Sequence, residues 1–301
     1  MDSTITGSVP ITVRDHGGDG PPLLLLHGAG GNLLAWEALA PRLTGAFRVV
    51  AADLRGHGHS GDGPWTWKAV LDDLEAVTGA LGLGEPAVAG HSLGGMLAGM
   101  WAARHPACPA AVSLDGHRAA ETHAAHYAGL DPERVTRDLA TLHELFTAQA
   151  RAMAEPMDAG QVAAFLDGQR AFAAAQGVDQ ESWIAAVRRG LTERDGRTWL
   201  RPGPEITGAL RASPEFADAL PVFGEVTVPF LIVLAARNPP VPPTLIALMN
   251  AYRAGLRRDL AALATARPSI EVREIDAGHG MVTERPEEVA RLITGFVLAH
   301  T

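Results

Sequence analysis

The sequence predicts an α/β fold in which a mostly parallel sheet is covered by helices on both faces. Short apolar runs alternate with segments of helical spacing through the first hundred residues, and the alternation returns near the end. Continuous apolar runs of this length are typical of strands buried on both faces. The runs are Leu23 to Leu26, Phe47 to Ala52, Ala87 to Ala89, Ala110 to Leu114, Phe230 to Ala235 and Ile270 to Ile275. Ligands of such sheets bind at the carboxyl ends of the strands.

Helices are predicted between these runs and after the last one. The helical segments are Leu33 to Leu43, Ala69 to Leu81, Met96 to Arg104 and Pro286 to Ala299, the last with a proline in its first turn.

Residues 117–224 differ from the rest, because they contain helical segments (132–153, 159–175 and 182–191) but no convincing strand. We therefore expect a core domain of residues 1–116 and 225–301, with residues 117–224 inserted as a helical cap.

Composition and charge argue against several function classes. The net charge is −9 and the arginines are scattered, whereas a nucleic-acid-binding protein usually carries a basic stripe. The single cysteine, Cys108, cannot form an internal disulfide. No apolar run approaches the ~20 residues of a membrane helix, and the first residues lack a signal peptide's pattern. We expect a cytoplasmic protein with no membrane partner, and no residue spacing resembles a metal site.

The segment Gly90-His91-Ser92-Leu93-Gly94 carries the most specific motif. It reads G-x-S-x-G and lies between an apolar run and a helical segment, as a nucleophile elbow does. Its small residues allow a sharp turn that holds the Ser92 hydroxyl at the carboxyl end of the sheet, beside the amide of Leu93. We therefore predict that Ser92 is a nucleophile. The alternative is a glycine-rich turn with an incidental serine.

A serine hydroxyl needs an adjacent base to act as a nucleophile, and His279 is the candidate. It lies in Asp276-Ala277-Gly278-His279-Gly280, between the last apolar run and the closing helix. This places it on a loop at the same end of the sheet as Ser92. The alternative is that His279 only caps or hydrogen-bonds the loop. Among the other histidines, His117, His123 and His126 are candidates for lining a pocket under the cap.

Attack on a carbonyl creates an oxyanion that needs two hydrogen-bond donors. The elbow supplies the N–H of Leu93. The second donor is expected from His27-Gly28-Ala29-Gly30-Gly31, where glycines let the backbone approach a substrate. Within it we favour the N–H of Ala29, followed by that of Gly28. A phosphate-binding loop does not fit, because no G-x-G-x-x-G is present and no lysine follows.

Together with Asp53-Leu54-Arg55-Gly56-His57-Gly58, these motifs resemble the α/β-hydrolase superfamily. They occur in that superfamily's order and span nearly the whole chain outside the cap. The resemblance implies an eight-stranded, mostly parallel sheet, a lid inserted after the sixth strand, and hydrolysis without a cofactor. It also implies that the turn beginning at Asp53 is structural.

The acid that supports His279 is where the sequence departs from the superfamily's common pattern. Most relatives place an aspartate after the seventh strand, where this chain has Asn238, whose amide cannot carry a negative charge. Asp115 follows the fourth apolar run, which matches the sixth strand of the superfamily, and haloalkane dehalogenases and zearalenone-type lactonases look similar in placing their acid at that strand end. We therefore predict that Asp115 is the acid. The alternative is a solvated Asp115, with Asn238 or Glu121 supporting His279.

The resemblance and the serine at the elbow together imply a substrate with an ester, lactone, amide or carbon–carbon bond. Dehalogenases and epoxide hydrolases of the superfamily attack with a carboxylate instead. Large apolar side chains in the cap favour a hydrophobic ester or lactone that is bulky for a small-molecule substrate, and a zearalenone-like macrolactone is suggested by analogy. They are Met153, Met157, Phe165, Phe172, Trp183 and Trp199. The alternative is that these side chains pack the cap helices against one another.

Two other functions stay open at this point. The same site is compatible with a carbon–carbon hydrolase of dienone acids, whose carboxylate Arg118, Arg188 or Arg237 would bind, or with a perhydrolase. A non-catalytic small-molecule receptor of this fold is an alternative of another class. The sequence also leaves a homo-oligomer open.

Replacing the predicted acid tests its assignment. We expect Asp115→Asn to lower kcat by roughly 10³–10⁴ without unfolding the protein, because an amide fixes the wrong imidazole tautomer. Asn238→Ala is expected to cost little. Steady-state kinetics and circular dichroism of both variants check this, and the reverse order of effects would contradict the assignment.

Overall fold

The computed structural model describes all 301 residues and contains ten strands. They are β1 (Asp2–Thr6), β2 (Pro10–Gly17), β3 (Pro22–Leu26), β4 (Arg48–Ala52), β5 (Ala87–His91), β6 (Ala111–Leu114), β7 (Leu191–Arg194), β8 (Arg197–Leu200), β9 (Phe230–Ala235) and β10 (Ile270–Ile275). Eight of them form one sheet in the order β1-β2-β4-β3-β5-β6-β9-β10, and β7 pairs with β8 separately.

The sheet is parallel from β4 to β10 and antiparallel at β1 and β2. All six predicted apolar runs are strands of this sheet. Alternate side chains pack on opposite faces, so that Leu24 and Leu26 contribute to one core while Leu23 and Leu25 contribute to the other. This arrangement explains why these strands read as continuous apolar runs.

Twelve α-helices cover the sheet and fill the chain between β6 and β9. They are α1 (Ala40–Leu43), α2 (Trp67–Ala80), α3 (Leu93–Arg104), α4 (Pro132–Ala154), α5 (Ala159–Gln176), α6 (Gln180–Arg189), α7 (Pro204–Ala212), α8 (Pro214–Ala217), α9 (Leu220–Phe223), α10 (Ile246–Ala266), α11 (Met281–Glu284) and α12 (Pro286–Leu298). None of these helices combines the length and the apolarity needed to cross a membrane.

The single helix predicted over 33–43 is wrong. The chain there forms a 3₁₀ turn, Leu33–Trp36, and then the short helix α1. Pro41 lies in the first turn of α1, where its missing N–H is tolerated, and it could not continue a helix from the preceding turn.

The 117–224 segment contains α4 to α9, but the expectation that it holds no strand is wrong. β7 and β8 form an antiparallel hairpin there. Its turn is Asp195-Gly196, and both residues have positive φ, 52° and 70°. Asp-Gly is a strong sequence signal for such a two-residue turn.

Charged groups attach this segment to the rest of the protein. Arg189, at the end of α6, contacts Asp53 at 2.7 Å, and both side chains are buried (6% and 0% exposed). The same guanidinium contacts Asp2 of β1 at 2.7 Å. Arg201 donates hydrogen bonds to three carbonyl oxygens of one core loop, those of Gly56, Gly58 and Ser60. Ion pairs and hydrogen bonds of Arg189 and Arg201 therefore attach the segment to β1 and to the loop after β4.

Removal of the Arg189 side chain tests this attachment. Arg189→Ala leaves the Asp53 carboxylate buried without a cation, so we expect a loss of about 3–5 kcal/mol in the free energy of unfolding. Urea denaturation measures it. Arg170→Ala is the matched control, because the Arg170–Asp167 pair lies at the surface and is expected to contribute about 0–1 kcal/mol. Equal denaturation midpoints for the two variants would contradict the prediction.

Candidate active site

The candidate residues follow strands that lie side by side in the sheet. Ser92 directly follows β5, Asp115 directly follows β6, and the loop that begins at His27 follows β3. Register pairs Leu26 of β3 with Gly90 of β5, and neighbouring β6 is in register with the end of β5. Parallel pairing therefore brings these three chain segments to one edge of the sheet.

The turn at Ser92 is strained, and three nearby glycine positions have no room for a side chain. Ser92 has φ 53° and ψ −117°, a conformation that L-residues rarely adopt. A Cβ atom at Gly90 would lie 1.9 Å from the carbonyl oxygen of Gly94. One at Gly94 would lie 2.0 Å from that of Leu26, and one at Gly116 would lie 2.0 Å from that of Ser92. Direct backbone packing therefore requires glycine at these three positions.

Asp115 and His279 are in direct contact. The Nδ1 atom of His279 lies 2.7 Å from Oδ2 of Asp115. The other oxygen, Oδ1, accepts hydrogen bonds from the backbone N–H of Ala235 at 3.0 Å and from Nε2 of His117 at 3.1 Å. The carboxylate is therefore neither solvated nor free, since its side chain is only 13% exposed.

These contacts determine the charge of the pair. Burial acts to raise the pKa of Asp115, but the hydrogen bonds and charges of His117 and His279 hold it well below its ordinary value. For His279, burial acts to lower the pKa, and the hydrogen bond and charge of Asp115 outweigh it, so that the pKa is raised. Asp115 is accordingly an anion that favours the imidazolium form of His279.

His91 holds the loop of His279 from the other side. Its Nε2 atom lies 2.7 Å from the carbonyl oxygen of His279 and donates to it, and the two rings are 4.8 Å apart. Burial, and then the neighbouring His279, lower the pKa of His91 to about 4. His91 is therefore neutral near pH 7 and acts as a hydrogen-bond donor. Because it precedes Ser92, it also ties the two loops together.

The loop after β3 packs directly against the turn at Ser92. A Cβ atom at Gly28 would lie 3.1 Å from Cβ of Ser92. His27 Nε2 accepts the backbone N–H of Leu54 at 3.0 Å, so its Nδ1 carries the proton and donates to the carbonyl oxygen of Gly28 at 2.8 Å. These bonds fix the start of the segment that contains Ala29. No hydrogen bond joins the Ser92 hydroxyl to the ring of His279.

Neither alternative partner of His279 forms a hydrogen bond with its ring. Asn238 accepts hydrogen bonds from Arg253 at 2.9 and 3.0 Å and donates to Asn250 at 2.7 Å. Glu121 contacts His143 and Arg211. Both groups are thus engaged by other elements.

Two surface cavities lie in the 117–224 segment, and neither is lined by Ser92 or His279. The larger of the two, of about 370 Å³, is lined by Leu139 and two alanines together with polar side chains that include Glu121 and His143. The Phe172 and Trp183 rings lie 5.4 Å apart and join α5 to α6. For these two side chains, the structure favours packing between helices over lining a cleft.

Sequence reasoning missed the role of His117. It was expected among pocket-lining residues, whereas the structure places it against Asp115. The only signal in the sequence was its position two residues after the predicted acid. Its ring orientation depends on the backbone N–H of Arg118, which donates to Nδ1 at 2.7 Å, and such a contact cannot be read from spacing.

Residues 21–286 match the model of one protein family, described as the alpha/beta hydrolase fold. Curated relatives match over shorter stretches. The chain is 37% identical over 97 residues to a fluoroacetate dehalogenase of Burkholderia sp., which covers 30% of this chain and 32% of that protein. It is 34% identical over 102 residues to the 2-(acetamidomethylene)succinate hydrolase of Mesorhizobium japonicum, which covers 33% and 36%. These matches span about a third of each relative's length.

Solved structures are similar over the whole chain at low sequence identity. E-2-(acetamidomethylene)succinate hydrolase superposes with a TM-score of 0.70 at 22% identity, covering 99% of this chain and 98% of that one. The thioesterase domain from the curacin biosynthetic pathway gives 0.66 at 18% identity, covering 97% and 98%. These likenesses establish the fold.

The backbone contact at Gly94 generates a stability prediction. We expect Gly94→Ala to destabilise the protein by about 1–3 kcal/mol, because the new methyl group overlaps the carbonyl of Leu26 and forces β3 and α3 apart. Gly168→Ala, in the middle of α5 with open space around it, is the control and should stabilise by about 0.5–1 kcal/mol. Thermal and urea unfolding measure both variants, and a neutral Gly94→Ala would show that the contact is not required.

Proposed function

Because this chain belongs to the α/β-hydrolase fold family, we propose that it is a serine hydrolase that cleaves carboxylic esters or lactones of bulky hydrophobic substrates. The single observation that carries the proposal is the 2.7 Å contact between His279 and Asp115 at the sheet edge where Ser92 is held in its strained turn. A hydroxyl, an imidazole and a buried carboxylate at one edge are the parts that acyl transfer requires.

In the proposed reaction, Ser92 Oγ attacks the substrate carbonyl carbon while Nε2 of His279 takes its proton. Asp115 keeps the other ring proton on Nδ1, so that Nε2 is the free base, and it stabilises the imidazolium that forms. His279 then gives the proton to the leaving alkoxide, and the acyl group stays on Ser92. Water repeats the sequence and releases the acid. The hydrogen bond between hydroxyl and base is often long in enzymes without substrate and shortens in the complex.

The tetrahedral oxyanion would accept hydrogen bonds from two backbone N–H groups. That of Leu93 begins α3 directly after Ser92. The second would come from Ala29, or from Gly28, in the loop that packs against Ser92. A donor of this kind is typically worth about 3 kcal/mol of transition-state stabilisation.

The substrate class is proposed from the 117–224 segment acting as a cap. Two large apolar side chains of α4, Leu145 and Met153, are 41% and 50% exposed, so the segment offers apolar surface beyond its own packing. Arg118, one of three candidates for binding a substrate carboxylate, is buried and paired with Asp218 and Asp259. Arg118 is therefore already neutralised, which removes one of the three candidates for binding an anionic dienone acid.

Reaction with a fluorophosphonate tests the proposal. We expect stoichiometric labelling of Ser92, none in Ser92→Ala, and slow labelling in His279→Ala. Because the base must be neutral and the pKa of His279 is raised, labelling should slow as the pH falls through that raised value. Intact-mass spectrometry across a pH series measures this.

Matched substrates then test the substrate class. p-Nitrophenyl esters of increasing acyl length, a macrolactone and a dienone acid should rank in favour of long esters and the lactone. Folded wild-type protein that takes no label at any pH would overturn the proposal and favour a receptor. Labelling with turnover of the dienone acid alone would overturn the ester assignment.

A further inference from the structure

We propose that His117 is a positioning residue of this site, which orients the Asp115 carboxylate so that one oxygen is always presented to His279. The inference rests on the proposed function for its catalytic meaning. It rests on contacts of the folded chain for its geometry.

Asp115 has two oxygens with different partners. Oδ2 faces His279, and Oδ1 receives two N–H groups, from His117 and from the backbone of Ala235. A carboxylate with one oxygen held by two donors from different directions cannot easily rotate about its last bond. Ala235 alone supplies one direction, so His117 is the group that completes the constraint.

The tautomer of His117 suits it to this task. Nδ1 accepts the backbone N–H of Arg118 at 2.7 Å, so the nitrogen that carries a proton toward Asp115 is Nε2. The side chain is only 7% exposed, so no bulk water competes for the bond.

The backbone beyond His117 is itself anchored. Arg118 is buried and contacts Asp218 at 3.0 Å and Asp259 at 2.7 Å. Tyr252 donates its hydroxyl proton to the carbonyl oxygen of Arg118. On the other side, Gly116 packs against the carbonyl oxygen of Ser92. The backbone is therefore held on both sides of His117, at Gly116 and at Arg118.

Other charged and titratable groups also face the pair, and they belong to elements other than the one that carries His117. Arg253 of α10 donates to the carbonyl of Ala235, behind Asp115, and Tyr252 of the same helix lies near the carboxylate. His91 of β5 contacts the backbone of His279. An effect specific to His117 can therefore be separated from the general field of the site.

Two substitutions separate the two hydrogen bonds of His117. His117→Gln places an amide N–H near the position of Nε2 and so keeps the donor to Asp115. His117→Asn places its amide near the position of Nδ1 and so keeps only the partner of the Arg118 N–H. His117→Leu removes both and shows the effect of packing alone.

We expect His117→Asn and His117→Leu to lower kcat for a p-nitrophenyl ester by about 10- to 100-fold with KM within about twofold, and His117→Gln to retain most of kcat. A readout independent of turnover is the ring titration of His279 in ¹⁵N-labelled protein. With Asp115 free to turn, the pKa of His279 should fall in the Asn and Leu variants and stay near the wild-type value in the Gln variant.

The outcomes are distinct. A normal kcat and an unchanged His279 titration in folded His117→Asn would overturn the inference, and so would a rise in the pKa of His279, which would mean that His117 only weakens the carboxylate as an acceptor. If wild-type protein takes no fluorophosphonate label, the proposed function fails, yet the titrations still decide whether His117 orients Asp115. Thermal unfolding identifies any variant whose loss of rate comes from loss of fold, and the remaining variant then decides.

Discussion

Direct contact between backbones is the constraint on which this structure depends. At Gly90, Gly94 and Gly116, a Cβ atom would lie about 2 Å from a carbonyl oxygen of a neighbouring segment. The ends of β3, β5 and β6 therefore meet with no side chain between them. This close packing holds Ser92 at its strained φ of 53°. It also brings the starts of the loops that follow these strands close to one another. Pairing of the strands, and not the reach of long flexible side chains, brings together functional groups that are far apart in the sequence.

The electrostatics of the site follow from which strand end carries which charge. The end of β6 carries Asp115, which three N–H groups stabilise as an anion. The end of β9, where relatives commonly have an acid, carries Asn238, and this amide is hydrogen-bonded by Arg253. The carboxylate that contacts the His279 ring is therefore the one at the end of β6, and the guanidinium of Arg253 holds the amide at the end of β9.

Much of the fold could be predicted from the sequence, because strands buried on both faces leave continuous apolar runs. The edge strand β1 could not, since Asp-Ser-Thr-Ile-Thr is mostly polar and exposed and depends on pairing with β2. The Asp195-Gly196 turn is a local signal for the β7–β8 hairpin, which the prediction of a helical segment without strands missed. At the site, local motifs predicted Ser92 and His279, and the structure places Ser92 after β5 and His279 against Asp115. The contact of Arg189 with Asp53 joins residues 136 positions apart, and no local pattern in the sequence carries it.

The anchoring of α6 and of the loop before α7 determines which parts of residues 117–224 tolerate changes in sequence. A guanidinium such as that of Arg201, which satisfies three carbonyl oxygens, cannot swing away without leaving them without partners. By contrast, α4 buries only Val135 and Leu142 along its whole length, and α5 buries only Leu166 and Ala173. Most substitutions in these two helices therefore change the free energy of unfolding little. Sequence changes are therefore best accommodated in α4 and α5, whereas α6 and the loop that carries Arg201 are fixed by their arginine contacts.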